Sequence, residues 1–288
     1  MAEPSPLSLP YTLSLPETLR SGVVFASPHS GRDYPAEFVA RSVLDLTRLR
    51  SSEDAFVDSF LSGVAAQGAS LIAARYPRAY VDLNRAEDEL DPALIEGLAR
   101  SGGGARVAAG LGVIPRIVAG GRAIYSGKIP QAEAEARLAQ VWRPYHAQLE
   151  ALLAQRRARF GEVLLIDMHS MPSETPGAPA SREPNIVLGD RFGTSASGAM
   201  VAAIERVFTG AGLSVARNAP FAGAYVASRY GRPAEGVHVV QVEINRGLYM
   251  DESRVRPHAG FAAFAAQMEG ITAGLCALVR GSERMAAE

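Results

Sequence analysis

The chain has 288 residues, 48% of them apolar, enough for one large α/β domain or two small ones. Lys and Arg number 29 against 30 Asp and Glu, and a net charge of −1 provides no bulk field for nucleic acid or an anionic membrane. A lone cysteine, Cys276, excludes an internal disulfide, and no apolar run approaches the roughly 20 residues of a spanning helix.

With neither a basic n-region nor an apolar h-region at its start, the chain is expected to be a soluble cytoplasmic protein. Residues 1–20 carry four prolines and are read as an extended, surface-lying lead-in. Ser21–Ser27 is a short buried strand, stopped by Pro28 and followed at once by His29-Ser30-Gly31. Ser52 is the predicted N-cap of a helix from Glu53 to about Gln67, closed by Gly68, with Phe56, Val57, Phe60, Leu61 and Val64 on its apolar face. Ser70–Tyr76 is the next strand. Ala79–Leu83 is a further extended piece that ends in Asp82-Leu83-Asn84-Arg85.

Residues 86–112, acidic and then glycine-rich, are read as an excursion from the sheet, with an insertion around 100–121. Ile114–Val118 and Ala123–Tyr125, about Gly120-Gly121, predict a hairpin. Pro130 suits the first position of a long helix that runs towards Arg159, with a kink at Pro144. Val163–Met171 opens with four apolar residues, the pattern of a strand buried on both faces, and spends its end on Asp167, His169 and Ser170. Pro172–Pro184 is long enough to be a lid. Asn185–Gly189 and Leu213–Arg217 are strands on either side of a helix over Ser195–Phe208. Val237–Ile244 is the last strong strand, and a helix covers Ala259–Arg280. Strands alternating with helices predict a three-layer α/β/α unit over 21–288, with a mostly parallel or mixed central sheet.

The candidate chemistry lies at strand ends. In an open α/β sheet, ligands bind beyond the carboxyl ends of the strands. His29 and His169 both follow a buried strand directly, unlike His146, which sits mid-helix, and His258, which precedes the last helix. Two imidazoles and one carboxylate are the protein half of a catalytic zinc site. Glu53 or Asp54 is the candidate third ligand, although acids at a helix start are also favoured by its dipole. Glu243 alternates with Val242 and Ile244 in a buried run, a costly position for a carboxylate unless it is paired or catalytic. It is therefore either the proton shuttle of an amide hydrolase or the partner of Arg246 or Arg85 in a buried ion pair. Arg85 and Arg246 each follow an asparagine at a strand end and match a substrate carboxylate. Asn84, Ser170 and His238 complete the candidate substrate-binding set.

These motifs together resemble the N-formylglutamate amidohydrolase (N-formylglutamate deformylase) family. The residues that carry the resemblance are Ser-Pro-His-Ser-Gly at 27–31, Asp54 with Val57-Asp58, and Arg75–Arg85. Ile166–Ser170, Pro184–Asp190 and the long run Gly236–Glu252 continue it in order. The resemblance implies a fold shared with zinc carboxypeptidases and cell-wall amidases. It also implies a zinc amidohydrolase that splits N-formyl-L-glutamate into formate and glutamate in histidine breakdown. His29 and His169 match the family's histidine ligands, Asp54 its aspartate, and Glu243 the acid/base carboxylate of related amidases. Where the family tends to have aspartate-threonine-aspartate, this chain has Ser52-Glu53-Asp54, so either acid can be the third ligand. The alternatives are a zinc deacylase, carboxypeptidase or amidase acting on another N-acyl amino acid, and a non-enzymatic binder of carboxylated amino acids.

Overall fold

Period-two alternation along two long neighbouring strands organises the protein. The computed structural model describes residues 9–99, 104–173 and 183–280. In chain order it contains β1 (Tyr11–Ser14), β2 (Val23–Ser27), α1 (Ala36–Arg41), α2 (Leu46–Leu49), β3 (Ser70–Ala74) and α3 (Ala105–Ala108). There follow β4 (Ile117–Val118), β5 (Arg122–Ala123), α4 (Gln131–Arg137), α5 (Arg143–Phe160), β6 (Val163–Met171) and β7 (Ile186–Gly189). The rest is α6 (Gly198–Gly210), β8 (Val215–Arg217), α7 (Tyr225–Tyr230), β9 (Val237–Asn245) and α8 (Phe261–Cys276).

Seven strands form a mixed sheet in the order β1-β3-β2-β6-β9-β7-β8. Its centre, β3-β2-β6-β9, is parallel, while β1 and β7 join it antiparallel. Successive side chains point to opposite faces. Leu164, Ile166 and Met168 of β6, with Val240, Val242 and Ile244 of β9, pack in one cluster with Ile204 and Phe208 of α6 and Phe264, Met268 and Ile271 of α8. Val163, Leu165 and Val239 pack in the other with Leu149, Leu152 and Leu153 of α5 and Val226 of α7. The result is the expected three-layer α/β/α architecture. Each fully buried aliphatic side chain in these layers contributes roughly 1.5–3 kcal/mol.

This strand order also fixes where a ligand goes. From β2 the chain moves to β3 on one side, and it later returns to β6 on the other side of β2. The crevice beyond the carboxyl ends of β2 and β6 is therefore a topological switch point, the usual ligand site of such sheets. His29 follows β2 by two residues, and His169 lies near the end of β6.

The structure departs from expectation in four places. Within the lead-in, Tyr11–Ser14 is an edge strand paired with Ala74–Leu71. Pro10 and Pro16 bound it, because proline cannot donate to the ladder. The helix expected over Glu53–Gln67 is instead a 3-10 turn at Val57–Leu61 followed by further turns. Phe56 before it is left-handed at φ 70°, and the Asp54 amide donates to the His29 carbonyl at 3.0 Å, so the start of the expected helix is diverted to the site. Ala79–Leu83 is a succession of turns rather than an extended piece. The break expected at Pro144 takes the form of a π-helical turn at Leu138–Trp142, with Pro144 in the first turn of α5.

The expected hairpin is present, as β4 and β5. Residues 1–8 of the lead-in, Gly102-Gly103, and all but the ends of the loop expected to form a lid at 172–184 lie outside the described residues. Among the described residues, no helix is long and apolar enough to cross a membrane.

Candidate metal centre

The segment between β2 and α1 is pinned flat against β3. A Cβ on Gly31 would stand 2.1 Å from the Tyr76 carbonyl oxygen, so only glycine allows this approach, and Asp33 donates its amide to the Arg75 carbonyl at 2.9 Å. His29 is thereby held beside the end of β6. The His29 Nδ1 and His169 Nδ1 atoms are 3.0 Å apart. Asp54 Oδ2 lies 3.0 Å from His169 Nδ1 and 3.4 Å from His29 Nδ1. All three residues are buried, at 2%, 1% and 2% exposure for His29, Asp54 and His169.

The other ring nitrogens are already engaged. His29 Nε2 lies 2.7 Å from Asp82 Oδ1. His169 Nε2 lies 3.0 Å from Asp167 Oδ2 and 3.3 Å from the Asn84 amide nitrogen. The Asp167 contact is short but poorly aligned, since neither of its oxygens has a well-formed hydrogen bond although the residue is wholly buried. A neutral imidazole that turns its N–H to a carboxylate presents a bare lone pair at its other nitrogen. Two such lone pairs and a carboxylate oxygen then face one another with no donor among them, an arrangement that a cation satisfies. Tetrahedral zinc with bonds of about 2.0–2.1 Å spaces its donors about 3.3 Å apart, so the cluster fits this ion in donor chemistry and in size.

Burial works against the charge of Asp54, but hydrogen bonds from His169 and His29 outweigh it and hold the carboxyl well below the usual range. Burial also opposes a charge on His169, and the Asp167 and Asp54 carboxylates overcome it and raise the imidazole well above its usual range, so a ring proton competes with a cation for this place. Burial likewise opposes the charge on Asp82, and the Arg78 guanidinium and His29 overcome it. Glu53, the other possible ligand, is turned away. It accepts from Arg50 at 3.0 and 3.1 Å and from the Tyr34 hydroxyl at 2.6 Å.

Glu243 stands directly beside His169 in the parallel β6–β9 register, on the same face of the sheet. Its Oε1 accepts from Gln241 Nε2 at 2.8 Å. No guanidinium of the described residues forms an ion pair with it, so the alternative reading, a partnership with Arg246 or Arg85, is not met. Burial is the main reason its carboxyl is pushed up to about 7, against the opposing charge of His169. Glu243 opens onto a cavity of about 330 Å³. Asp54, Arg78, Asp82, Ser170 and Arg246 share its floor, and Leu111, Pro115, Ile117, Val118 and Phe221 form an apolar wall.

The remaining candidates divide. Arg246 borders the cavity, donating to Asp54 Oδ1 at 3.0 Å and to the Ser170 hydroxyl at 3.0 Å. Arg85 does not border it, because its guanidinium donates to the carbonyls of Leu111 and Asn84. Asn84 is a brace, donating to Gln241 Oε1 and accepting the Val226 amide. His238 is not brought to the site. Five residues before Glu243, it points to the opposite face about 16 Å along the strand, and its Nδ1 accepts the Ser197 amide. The group that sequence reasoning missed is Arg78, which lines the cavity and donates to Asp82 Oδ2 at 2.8 Å. Its spacing of four residues from Asp82 was the available signal.

Comparison with known proteins gives the family and the fold of the chain. Residues 21–250 match the family described as N-formylglutamate amidohydrolase. The N-formylglutamate deformylase of Pseudomonas aeruginosa is 35% identical over 237 residues, covering 81% of this chain and 84% of the relative. The enzyme of the same name from Pseudomonas putida is 30% identical over the same shares. The crystal structure of N-formylglutamate amidohydrolase from Ralstonia eutropha JMP134 superposes with a TM-score of 0.87 at 36% identity, covering 94% of this chain and 99% of that one. A gene product of Agrobacterium tumefaciens shares the fold at a TM-score of 0.66 and 19% identity, over 94% and 96% of the two chains.

Proposed function

The chain belongs to the N-formylglutamate amidohydrolase family, and on that premise we propose that it is a zinc-dependent enzyme hydrolysing N-formyl-L-glutamate to formate and L-glutamate. The observation that carries the zinc reading is the meeting of His29 Nδ1, His169 Nδ1 and Asp54 Oδ2 within 3.4 Å of one another, with their outer atoms already engaged. These three residues would hold the metal. When bound, zinc supplies Lewis acidity, polarising a carbonyl and making water a competent nucleophile near neutral pH.

Asp82 Oδ1, 2.7 Å from His29 Nε2, orients that ring, and the Asp167 carboxylate lies beside the His169 ring. Glu243 takes the proton from the water that adds to the formyl carbon, then delivers a proton to the departing nitrogen as the C–N bond breaks. A carboxyl pushed up to about 7 suits both tasks, because it gains and loses a proton near neutrality. Arg246 and Arg78 offer guanidinium groups to a substrate carboxylate. The wall of Leu111, Ile117 and Val118 excludes water from the polar floor, strengthening each charge interaction there.

In this reading, residues 21–288 act as one hydrolase unit, the glycine-rich segment walls its pocket, and the protein serves a small N-acyl amino acid in the cytoplasm. The test is amine release from N-formyl-, N-acetyl- and N-formimidoyl-L-glutamate by zinc-loaded protein. Preferential turnover of the formyl compound is expected. Preference for another acyl group would make the chain a different deacylase, and no turnover of any would leave a binder.

A further inference from the structure

We propose that Arg122, on the hairpin that walls the cavity, selects substrates carrying a second carboxylate at the end of their side chain. The inference rests on the reading above and deepens it. Arg122 opens β5, directly after Gly120 and Gly121, which line the cavity. Both glycines are left-handed, at φ 74° and 70°, and fold the hairpin turn back on itself. A Cβ on Gly120 would lie 3.5 Å from an Arg122 guanidinium nitrogen, so the side chain lies along the turn. Its Nη2 donates to the Ser51 hydroxyl at 3.2 Å, and Ser51 is itself a cavity residue. The guanidinium thus sits at the rim.

Arg122 differs from the other arginines around the cavity in having no charge to neutralise it. Arg78 is paired with Asp82, Arg246 with Asp54, and Arg50 with Glu53. Among the described residues, no carboxylate lies within ion-pair distance of Arg122, and its side chain's hydrogen bond goes to one neutral hydroxyl. The floor sets two guanidinium groups against the carboxyls of Asp54, Asp82 and Glu243. With Asp167 beside His169 counted in, a bound dication brings this centre to about neutral. A dianionic substrate then finds no spare cation for its second carboxylate, and Arg122 provides one.

Geometry assigns the two carboxylates of an N-acyl glutamate. The α-carboxylate is one carbon from the scissile nitrogen and must stay near the floor, within reach of Arg246 or Arg78. The side-chain carboxylate lies beyond two methylenes. Those methylenes suit the apolar lining of Leu111, Ile117 and Val118, and Val118 is the residue that Arg122 faces across the hairpin. Shortening the side chain or removing its charge would strand Arg122.

The test compares zinc-loaded wild type with Arg122→Gln and Arg122→Lys. The substrates are N-formyl-L-glutamate and N-formyl-L-glutamine, which is nearly isosteric but lacks the second charge. In Arg122→Gln the preference for the glutamate substrate, as a ratio of kcat/KM values, should fall about tenfold or more, through KM rather than kcat. Arg122→Lys should restore part of it, since the charge remains without the planar fork. Calorimetric titration of the zinc-loaded proteins with glutarate, and with butyrate as the monoanion control, gives a readout independent of turnover. Glutarate affinity should fall by a similar factor in Arg122→Gln. An unchanged ratio together with unchanged glutarate affinity overturns the role of Arg122. If the wild type cleaves neither formyl compound, the proposed activity fails. The glutarate titration then judges Arg122 alone, and equal affinity or no binding in both proteins refutes it.

Discussion

Replacing His146 with glutamine should remove a defined part of the protein's sensitivity to acid. His146 is buried in α5, with Nδ1 2.9 Å from the Tyr230 hydroxyl and Nε2 3.0 Å from the Leu83 carbonyl oxygen. These partners fix a neutral ring that donates from Nε2 and accepts at Nδ1. Burial pushes the imidazole down from 6.5 to about 3. The unfolded chain therefore takes up a proton as pH falls below 6.5, whereas the folded protein refuses it until about pH 3. The stability contributed by the neutral ring is complete above pH 6.5 and is lost as pH falls towards 3. At pH 4 the two forms are separated by about 2.5 pH units of titration at about 1.36 kcal/mol each, a loss on the order of 3 kcal/mol. Urea unfolding of wild type and His146→Gln at pH 7 and pH 4 reads this directly, because all other titrations are common to both proteins. The variant should cost about 1–3 kcal/mol at pH 7 through a lost buried hydrogen bond. That deficit should shrink by about 3 kcal/mol, or reverse, at pH 4. A deficit equal at both pH values would refute the reasoning.

Metal stoichiometry should separate the two adjacent acids, with Asp54→Asn losing bound zinc and Glu53→Gln keeping it. The reverse result would mean that Glu53 swings in as ligand. Asp82→Asn should weaken zinc affinity about 10–100-fold while leaving the ligand set intact, measured by competition with a chelator. For the wild type, kcat/KM should fall with decreasing pH along an acidic limb lying between 4.5 and about 7, because Glu243 must be ionised to accept a proton and a nearby dication pulls it below its metal-free value. Arg246→Lys should raise KM for the substrate. Arg85→Lys should act on thermal stability instead, since that guanidinium is spent on the carbonyls of Leu111 and Asn84.

The centre of the sheet could be read from sequence because buried parallel strands are continuous apolar runs, and Val163–Met171 and Val237–Ile244 announce themselves. Residues at the carboxyl ends of such runs, His169 and Glu243 in these two and His29 just after Val23–Ser27, were legible for the same reason. Asp54 was legible as a type but not as a choice over Glu53. The distinction depends on a backbone bond to the His29 carbonyl and on the left-handed Phe56, which no helical periodicity encodes. Strand parity alone could have set His238 aside, since it and Glu243 differ by an odd number of residues and so face opposite ways. Asp82 lay in a segment read as extended, Ala79–Leu83, and Arg78 just before it, so their meeting could not be read from the sequence. Turns bring them to the floor, and the carbonyls of Leu83 and Arg85 are held there by His146 and by the Trp142 indole N–H at 3.0 Å. Those contacts are long-range, across 57 and 63 residues, beyond what local pattern carries.

The measurement that reaches the centre of this account is the behaviour of Glu243→Gln loaded with zinc. Glutamine keeps the size and the hydrogen-bond acceptor facing Gln241 but cannot shuttle a proton. Zinc content and KM for N-formyl-L-glutamate should stay close to wild type, while kcat falls by about 10² or more. A variant that keeps near-normal kcat, or that loses its zinc along with its activity, would contradict the assignment of Glu243 as the proton carrier beside His29, Asp54 and His169.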